Sequence, residues 1–176
     1  MGYTHYWYRA EELPADGWGP FLDDAIKVTL ASGIDVKGGT GHGVAEFTNT
    51  AIWLNGDENC GHSPTATPGW TGCDGDCSHE TFGIVRVLSE DGISSSSFID
   101  SPEHGVHRLY FDCTKTAGKP YDLVVTAILI AASHHFGDLF VIESDGGPNE
   151  WEPAIELCLS ELGYGQYPVV EREIVL

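Results

Sequence analysis

Basic side chains are what this chain has least of: 8 Lys plus Arg stand against 27 Asp plus Glu in 176 residues, a formal charge of −19. Lysine occurs only at Lys27, Lys37, Lys115 and Lys119. A surface of this sign repels phosphate, which argues against general nucleic-acid binding and against adhesion to acidic membranes. Long apolar runs are also missing. The longest, Leu123 to Ala132, is broken by Thr126 and covers about half of the roughly 20 residues a membrane helix requires, so no membrane partner is expected. Met1 to Trp7 holds neither the basic nor the apolar region of a secretory signal. No G-x-S-x-G, H-E-x-x-H or G-x-G-x-x-G element occurs, so no sequence motif argues for an enzyme.

What is present suits a folded globule. Apolar residues make up 41% and aromatic residues 11%, enough for one core in a single domain spanning 1–176. Charged residues total 20%, below the roughly 25% of soluble domains, so basic residues have been removed more than acids added. Three origins fit this balance. Molar salt shortens the Debye length to about 3 Å and screens self-repulsion, which allows a halophilic protein to carry such a charge. A nucleic-acid mimic would gather its acids on one stripe, and an ordinary acidic protein would scatter them. The halophilic reading leads.

The pattern predicts a mixture of strands and helices without regular βαβ alternation. Tyr3–Arg9 and Ala45–Leu54 read as strands, the latter closed by an Asn55-Gly56 turn; Lys37–Gly43 reads as a loop. Phe21 to Gly33 reads as a helix ended by glycine. Thr81–Leu88, His107–Phe111 and Leu139–Glu143 follow as strands, with Ser94–Ser97 in a loop between the first two. Pro120 to about Phe136 forms a helix apolar on nearly every face, hence central. A reciprocally capped helix starts at Asn149, and Val169–Val175 supplies a last edge strand. The class implied is α+β: a largely antiparallel sheet with about three packed helices and a Cys/His-rich loop.

That loop, residues 57–78, is rich in Gly, Pro, Thr and Asp and cannot hold itself by apolar burial. It and the residue just beyond it offer Cys60, His62, Cys73, Cys77 and His79. Tetrahedral zinc requires four nitrogen or sulfur ligands around one point, and short spacings let neighbouring ligands share a turn. The expected set is Cys60, Cys73 and Cys77 with either His62 or His79, a closed structural zinc site that supplies folding free energy. A disulfide from Cys60 to Cys73 or Cys77 is the competing closure, and free thiols are the third reading. Cys113 and Cys158 are expected as buried thiols.

A second concentration of chemistry lies between His107–Phe111 and the central helix. Lys115, Thr116 and Lys119 precede a helix N-terminus, where backbone N–H groups favour an anion. The alternative is that the lysines neutralise Asp112, Asp122 or Glu80. An enzyme acting on a phosphorylated or nucleotide-like substrate would use these lysines with His79 or Glu80 moving a proton. His134-His135 read as a helix C-terminal cap, and His5 as a core-edge residue.

Met1-Gly2-Tyr3-Thr4-His5-Tyr6-Trp7, Leu54-Asn55-Gly56, His79-Glu80-Thr81-Phe82 and Cys113-Thr114-Lys115-Thr116 through Lys119-Pro120-Tyr121-Asp122 together resemble a group of small uncharacterised proteins of tailed phages and actinobacteria. The resemblance covers most of the chain and brings no activity with it. Such relatives link the Asn-Gly turn to the Glu-Thr-Phe strand by a shorter segment, which implies that 57–78 is an insertion. The acidic composition resembles that of haloarchaeal proteins. The expectation is therefore a non-enzymatic accessory or virion-associated protein of a haloarchaeal tailed virus, located in the host cytoplasm or the virion. Its partners would be other virion or host proteins. An acidic inhibitor that mimics nucleic acid is the third possibility.

Overall fold

A computed structural model describes residues 3–62, 75–89, 99–100 and 108–169. The class is α+β, with two antiparallel sheets and three α-helices among the described residues. The larger sheet is built around β1 (Thr4–Ala10), which pairs with β7 (Arg108–Lys115) on one side and β8 (Phe140–Ser144) on the other; β6 (Ile99–Asp100) extends the β7 edge. Alternation along β1 sends His5, Trp7 and Arg9 to the inner face, where all three are buried. The smaller sheet centres on β4 (Ala51–Gly56), paired with β2 (Val36–Lys37), β3 (Glu46–Phe47) and β5 (Phe82–Val85).

Three helices pack together against these sheets: α1 (Ala15–Ser32), α2 (Asp122–Phe136) and α3 (Pro148–Leu162). Every residue of α2 from Val124 to Ala132 is buried, because α1, α3 and β8 take its different faces. With the following 3-10 turn, Asp122–Leu139 is the one described segment long and apolar enough to cross a membrane, and it is spent here as the core helix. Trp7 lies between the layers, stacked on Phe140 and edge-on to Phe82. Ile52, Leu54 and Ile84 of the smaller sheet join the same core as the helices. Gly33, at φ +67°, ends α1 in the left-handed conformation that glycine adopts without a Cβ penalty.

Several expectations are corrected. The stretch read as one strand over Ala45–Leu54 is a hairpin, turned by Thr48: its hydroxyl oxygen accepts the Ala51 N–H at 3.0 Å and its hydroxyl donates to the Ala51 carbonyl. Asn55-Gly56 is not a turn but the end of β4. Asn55 is buried there, with its amide bonded to the carbonyls of Gly39 and His79 and its oxygen accepting the His79 N–H. Lys37, placed in a loop by its glycine-rich neighbourhood, pairs with Asn55 in β2. The α3 cap is Glu150, whose carboxylate accepts the Gly147 N–H at 3.0 Å, so the helix begins before Asn149. Of the last expected strand, Val169 makes a parallel bridge to Ile142; 170–175 and Ser94–Ser97 lie outside the described residues.

Arg9 shows how the sheets are joined. It is 1% exposed, and its guanidinium donates to the carbonyls of Ala10, Glu11, Val85 and Arg86. The fork thereby ties carbonyls at the ends of β1 and β5 together, and those of Glu11 and Arg86 also accept the Leu88 and Leu13 N–H groups at 2.9 Å.

Candidate metal centre

β4 runs out at Gly56, and an Asx turn follows in which the Asp57 carboxylate accepts the Asn59 N–H at 2.8 Å. Gly61, at φ +68°, then redirects the chain so that Cys60 and His62 face the returning limb. On that limb the Cys77 N–H bonds to the Asp57 carbonyl at 2.8 Å. A Cβ on Gly56 would stand about 1.9 Å from the Cys77 carbonyl, so only glycine permits this approach.

The result is a cluster. Ligand atoms of Cys60, His62 and Cys77 all lie within 4.8 Å of one another. The Cys77 and Cys60 sulfurs are 3.0 Å apart, well beyond the ~2.05 Å of a disulfide bond, and His62 Nδ1 is 3.3 Å from the Cys77 sulfur. Bond lengths of about 2.3 Å to sulfur and 2.0 Å to nitrogen in a tetrahedron set an S–S edge of roughly 3.8 Å. The sulfurs therefore need to part by less than an ångström to accept an ion. Cys77 is 4% exposed while His62 is on the surface, so the centre sits at the rim of the fold. A cavity of about 180 Å³ adjoins it, bounded by Ile34, Asp35, Asp57, Pro120 and Tyr121.

Of the five expected ligands, three are brought together. Cys73 lies outside the described residues. His79 is turned elsewhere: its Nδ1–H donates to the Lys115 carbonyl at 2.8 Å. Glu80 completes the same clamp, with its carboxylate accepting the Lys115 N–H at 2.8 Å and its carbonyl accepting the Tyr121 hydroxyl. His79 and Glu80 thus fasten the return limb to the end of β7.

The expected anion cradle is spread apart in the same region. Lys119 Nζ donates to the Asp76 carbonyl at 2.5 Å, which ties the loop to the start of α2. Thr116 is fully buried, and its hydroxyl donates to the Asp122 carboxylate. The negative group that the helix start holds is the chain's own Asp122. Asp76 accepts both the N–H and the hydroxyl of Ser78 at 2.7 Å, and those bonds, Ser78 foremost and Lys119 after it, hold its carboxyl below the usual range.

The remaining thiols differ in kind. Burial pushes the Cys158 thiol up to about 12, which makes it a core side chain rather than a nucleophile. Cys113 is half-buried on β7 and its thiol is also raised, by burial first and then by Asp112 and Glu80. His135 lies in the last turn of α2, as expected, and its Nε2 is 2.7 Å from Asp24, which also accepts the Tyr164 hydroxyl at 2.6 Å. His134 stacks on Tyr164 at 3.6 Å between ring centroids.

One network escaped the sequence reading. His5 Nδ1 is 2.9 Å from the Ser144 hydroxyl and Nε2 is 2.8 Å from the Asp122 carboxylate. The three residues come from β1, β8 and α2, and no local spacing connects them. Compared with family models, curated proteins and solved structures, the chain matches none.

Proposed function

We propose that this protein is a non-enzymatic accessory or virion-associated protein whose 57–78 loop is closed by a structural zinc ion. Cys60, His62 and Cys77 would be ligands, with Cys73 as the fourth. The observation that carries the reading is the convergence of three soft or borderline donors within 4.8 Å at the two ends of a loop with little apolar content of its own. Zinc supplies the missing folding free energy there, because it binds the ordered loop and not the open one. His79, Lys119 and Tyr121 already clamp the loop's base to β7 and α2, and an ion at Cys60, His62 and Cys77 would join its two limbs next to that clamp. A cross-linked segment of low apolar content suits contact with another protein.

The viral and haloarchaeal part of the proposal rests on the motif resemblance and on the charge of −19. Metal analysis of protein purified without chelator tests the loop: one zinc per chain is expected, and its absence together with loss of two titratable thiols would put a disulfide in its place. Mass spectrometry of purified particles tests the setting, where a fixed copy number is expected. Thermal melts across a salt series test the halophilic part. The midpoint should rise towards molar salt as self-repulsion is screened.

A further inference from the structure

Trp53 lies on the outer face of the smaller sheet, between the buried Ile52 and Leu54 of β4. Its cross-strand neighbours are Glu46 on β3 and Gly83 on β5. A Cβ at Gly83 would fall about 2.0 Å from the indole, so the six-membered ring lies over the glycine and is supported by backbone. The indole nevertheless remains 39% exposed, and it lines a trough of about 470 Å³ with Thr40, His42, Val44, Glu46 and Thr81. That volume falls within the range of small-molecule sites.

The wall of the trough is pre-built. The Gly39 carbonyl accepts both the Asn55 amide and the Thr81 hydroxyl, Gly38 donates to the His42 carbonyl at 2.9 Å, and His42 Nε2 is 2.6 Å from the Glu58 carboxylate. A ligand therefore meets a loop already ordered, and little conformational entropy is lost on binding. Among the described residues, the Thr40 hydroxyl and the Glu46 carboxylate have no hydrogen-bond partner.

The chemistry of the walls selects the ligand. An anion is repelled by a chain of charge −19. A quaternary ammonium calls for several rings around it, and here there is one. A flat apolar molecule would cover Glu46 and Thr40 and leave them unpaired, at a desolvation cost. A pyranose ring answers all three: its C–H face carries the slight positive charge that the indole face attracts, and its equatorial hydroxyls lie in one plane, directed at surrounding donors and acceptors. We propose that this trough binds a neutral pyranose unit, stacked on Trp53 and held by hydroxyl contacts to Glu46 and Thr40. A soluble oligosaccharide and a surface polysaccharide share that chemistry.

The test is a titration of the full chain with the neutral sugars maltotetraose, cellotetraose and tetra-N-acetylchitotetraose to about 10 mM, in the weak range of affinities. Indole N–H signals are followed, with Trp53→Phe used to assign the relevant one. Affinity electrophoresis through soluble starch and hydroxyethylcellulose provides the polymer arm. A saturable shift of the Trp53 signal, or retardation by polymer, supports the site, and Trp53→Ala should weaken either at least about tenfold. Should Trp53→Ala alter the melt, the exposed pair Glu46→Ala and Thr40→Ala serves instead, with the same direction of effect. No shift with any sugar and no retardation would overturn the proposal. So would unchanged binding in these variants, or saturation of the Trp53 signal by tetramethylammonium in preference to sugar.

Discussion

His5 lies 2.8 Å from Asp122 through Nε2 and 2.9 Å from Ser144 through Nδ1, fully buried where β1, β8 and α2 meet. The proton positions follow from the partners. Ser144 Oγ already accepts the Gly146 N–H and the Trp151 indole N–H, so its own hydrogen goes to His5 Nδ1, and Nε2–H donates to Asp122. Asp122 accepts the Thr116 hydroxyl as well. The geometry differs from a hydrolase relay in that both acceptor positions of the serine oxygen are occupied by the Gly146 and Trp151 N–H groups. His5→Phe should cost about 2–4 kcal/mol, since it orphans a serine hydroxyl and removes a partner from a carboxylate. Urea unfolding at neutral pH measures this, and Ser144→Ala should cost less.

The choice of histidine at the sulfur cluster is open to direct measurement. His62→Ala should lower zinc affinity by at least about tenfold, whereas His79→Ala should leave it within about twofold, because His79 bonds the Lys115 carbonyl. Competition with a chromophoric chelator reads both. Chelator should also lower the melting midpoint of the parent chain and have little effect on Cys60→Ala or Cys77→Ala.

Arg9 offers a different kind of test, because its role is to satisfy carbonyls and not to pair with a carboxylate. Arg9→Met keeps the volume but leaves the carbonyls of Ala10, Glu11, Val85 and Arg86 without this donor. The Glu11 and Arg86 carbonyls keep the Leu88 and Leu13 N–H groups, so a loss of about 1–3 kcal/mol is expected from chemical denaturation. Arg9→Lys should recover only part of it, as an ammonium cannot match the fork.

Alkaline stability follows from three tyrosines. Burial is the largest cause that raises Tyr3, Tyr121 and Tyr164 above their ordinary 10.0, with Asp122 next for the first two and the Asp24 hydrogen bond next for the third. In the unfolded chain these phenols lose their protons near pH 10, whereas the folded chain retains them. The unfolded state then binds fewer protons, so stability is fully present below pH 10 and falls as pH rises beyond it. Tyr121→Phe should flatten that decline between about pH 10 and 12, measured by denaturation midpoints at stepped pH, even though it removes a bond to the Glu80 carbonyl.

Much of the fold was legible in local pattern, for reasons the residues make plain. The apolar run of α2 has no polar face to show solvent, so it had to be central; Gly33 could end α1 because it takes φ +67°. The aromatic start of β1 and the α+β class also follow from order and periodicity. The hairpin hidden in Ala45–Leu54 did not, because Thr48 to Thr50 turn through side-chain bonds and no glycine or proline marks the place. Asn55-Gly56 misled for the opposite reason. Its turn propensity was overruled once Asn55 found two carbonyls and an N–H to bond across the sheet, and Gly56 was needed for the approach of Cys77.

By itself the sequence determined charge, class, the central helix and the concentration of sulfur and imidazole in one loop, since each depends on composition or on spacing along a few residues. Tertiary structure alone decided which histidine joins Cys60 and Cys77, where Lys119 and Thr116 spend their donors, and that His5, Asp122 and Ser144 meet. Those are pairings between groups far apart in the chain, and hydrogen bonds and metal coordination act over about 3 Å of space, with no regard to distance along the backbone.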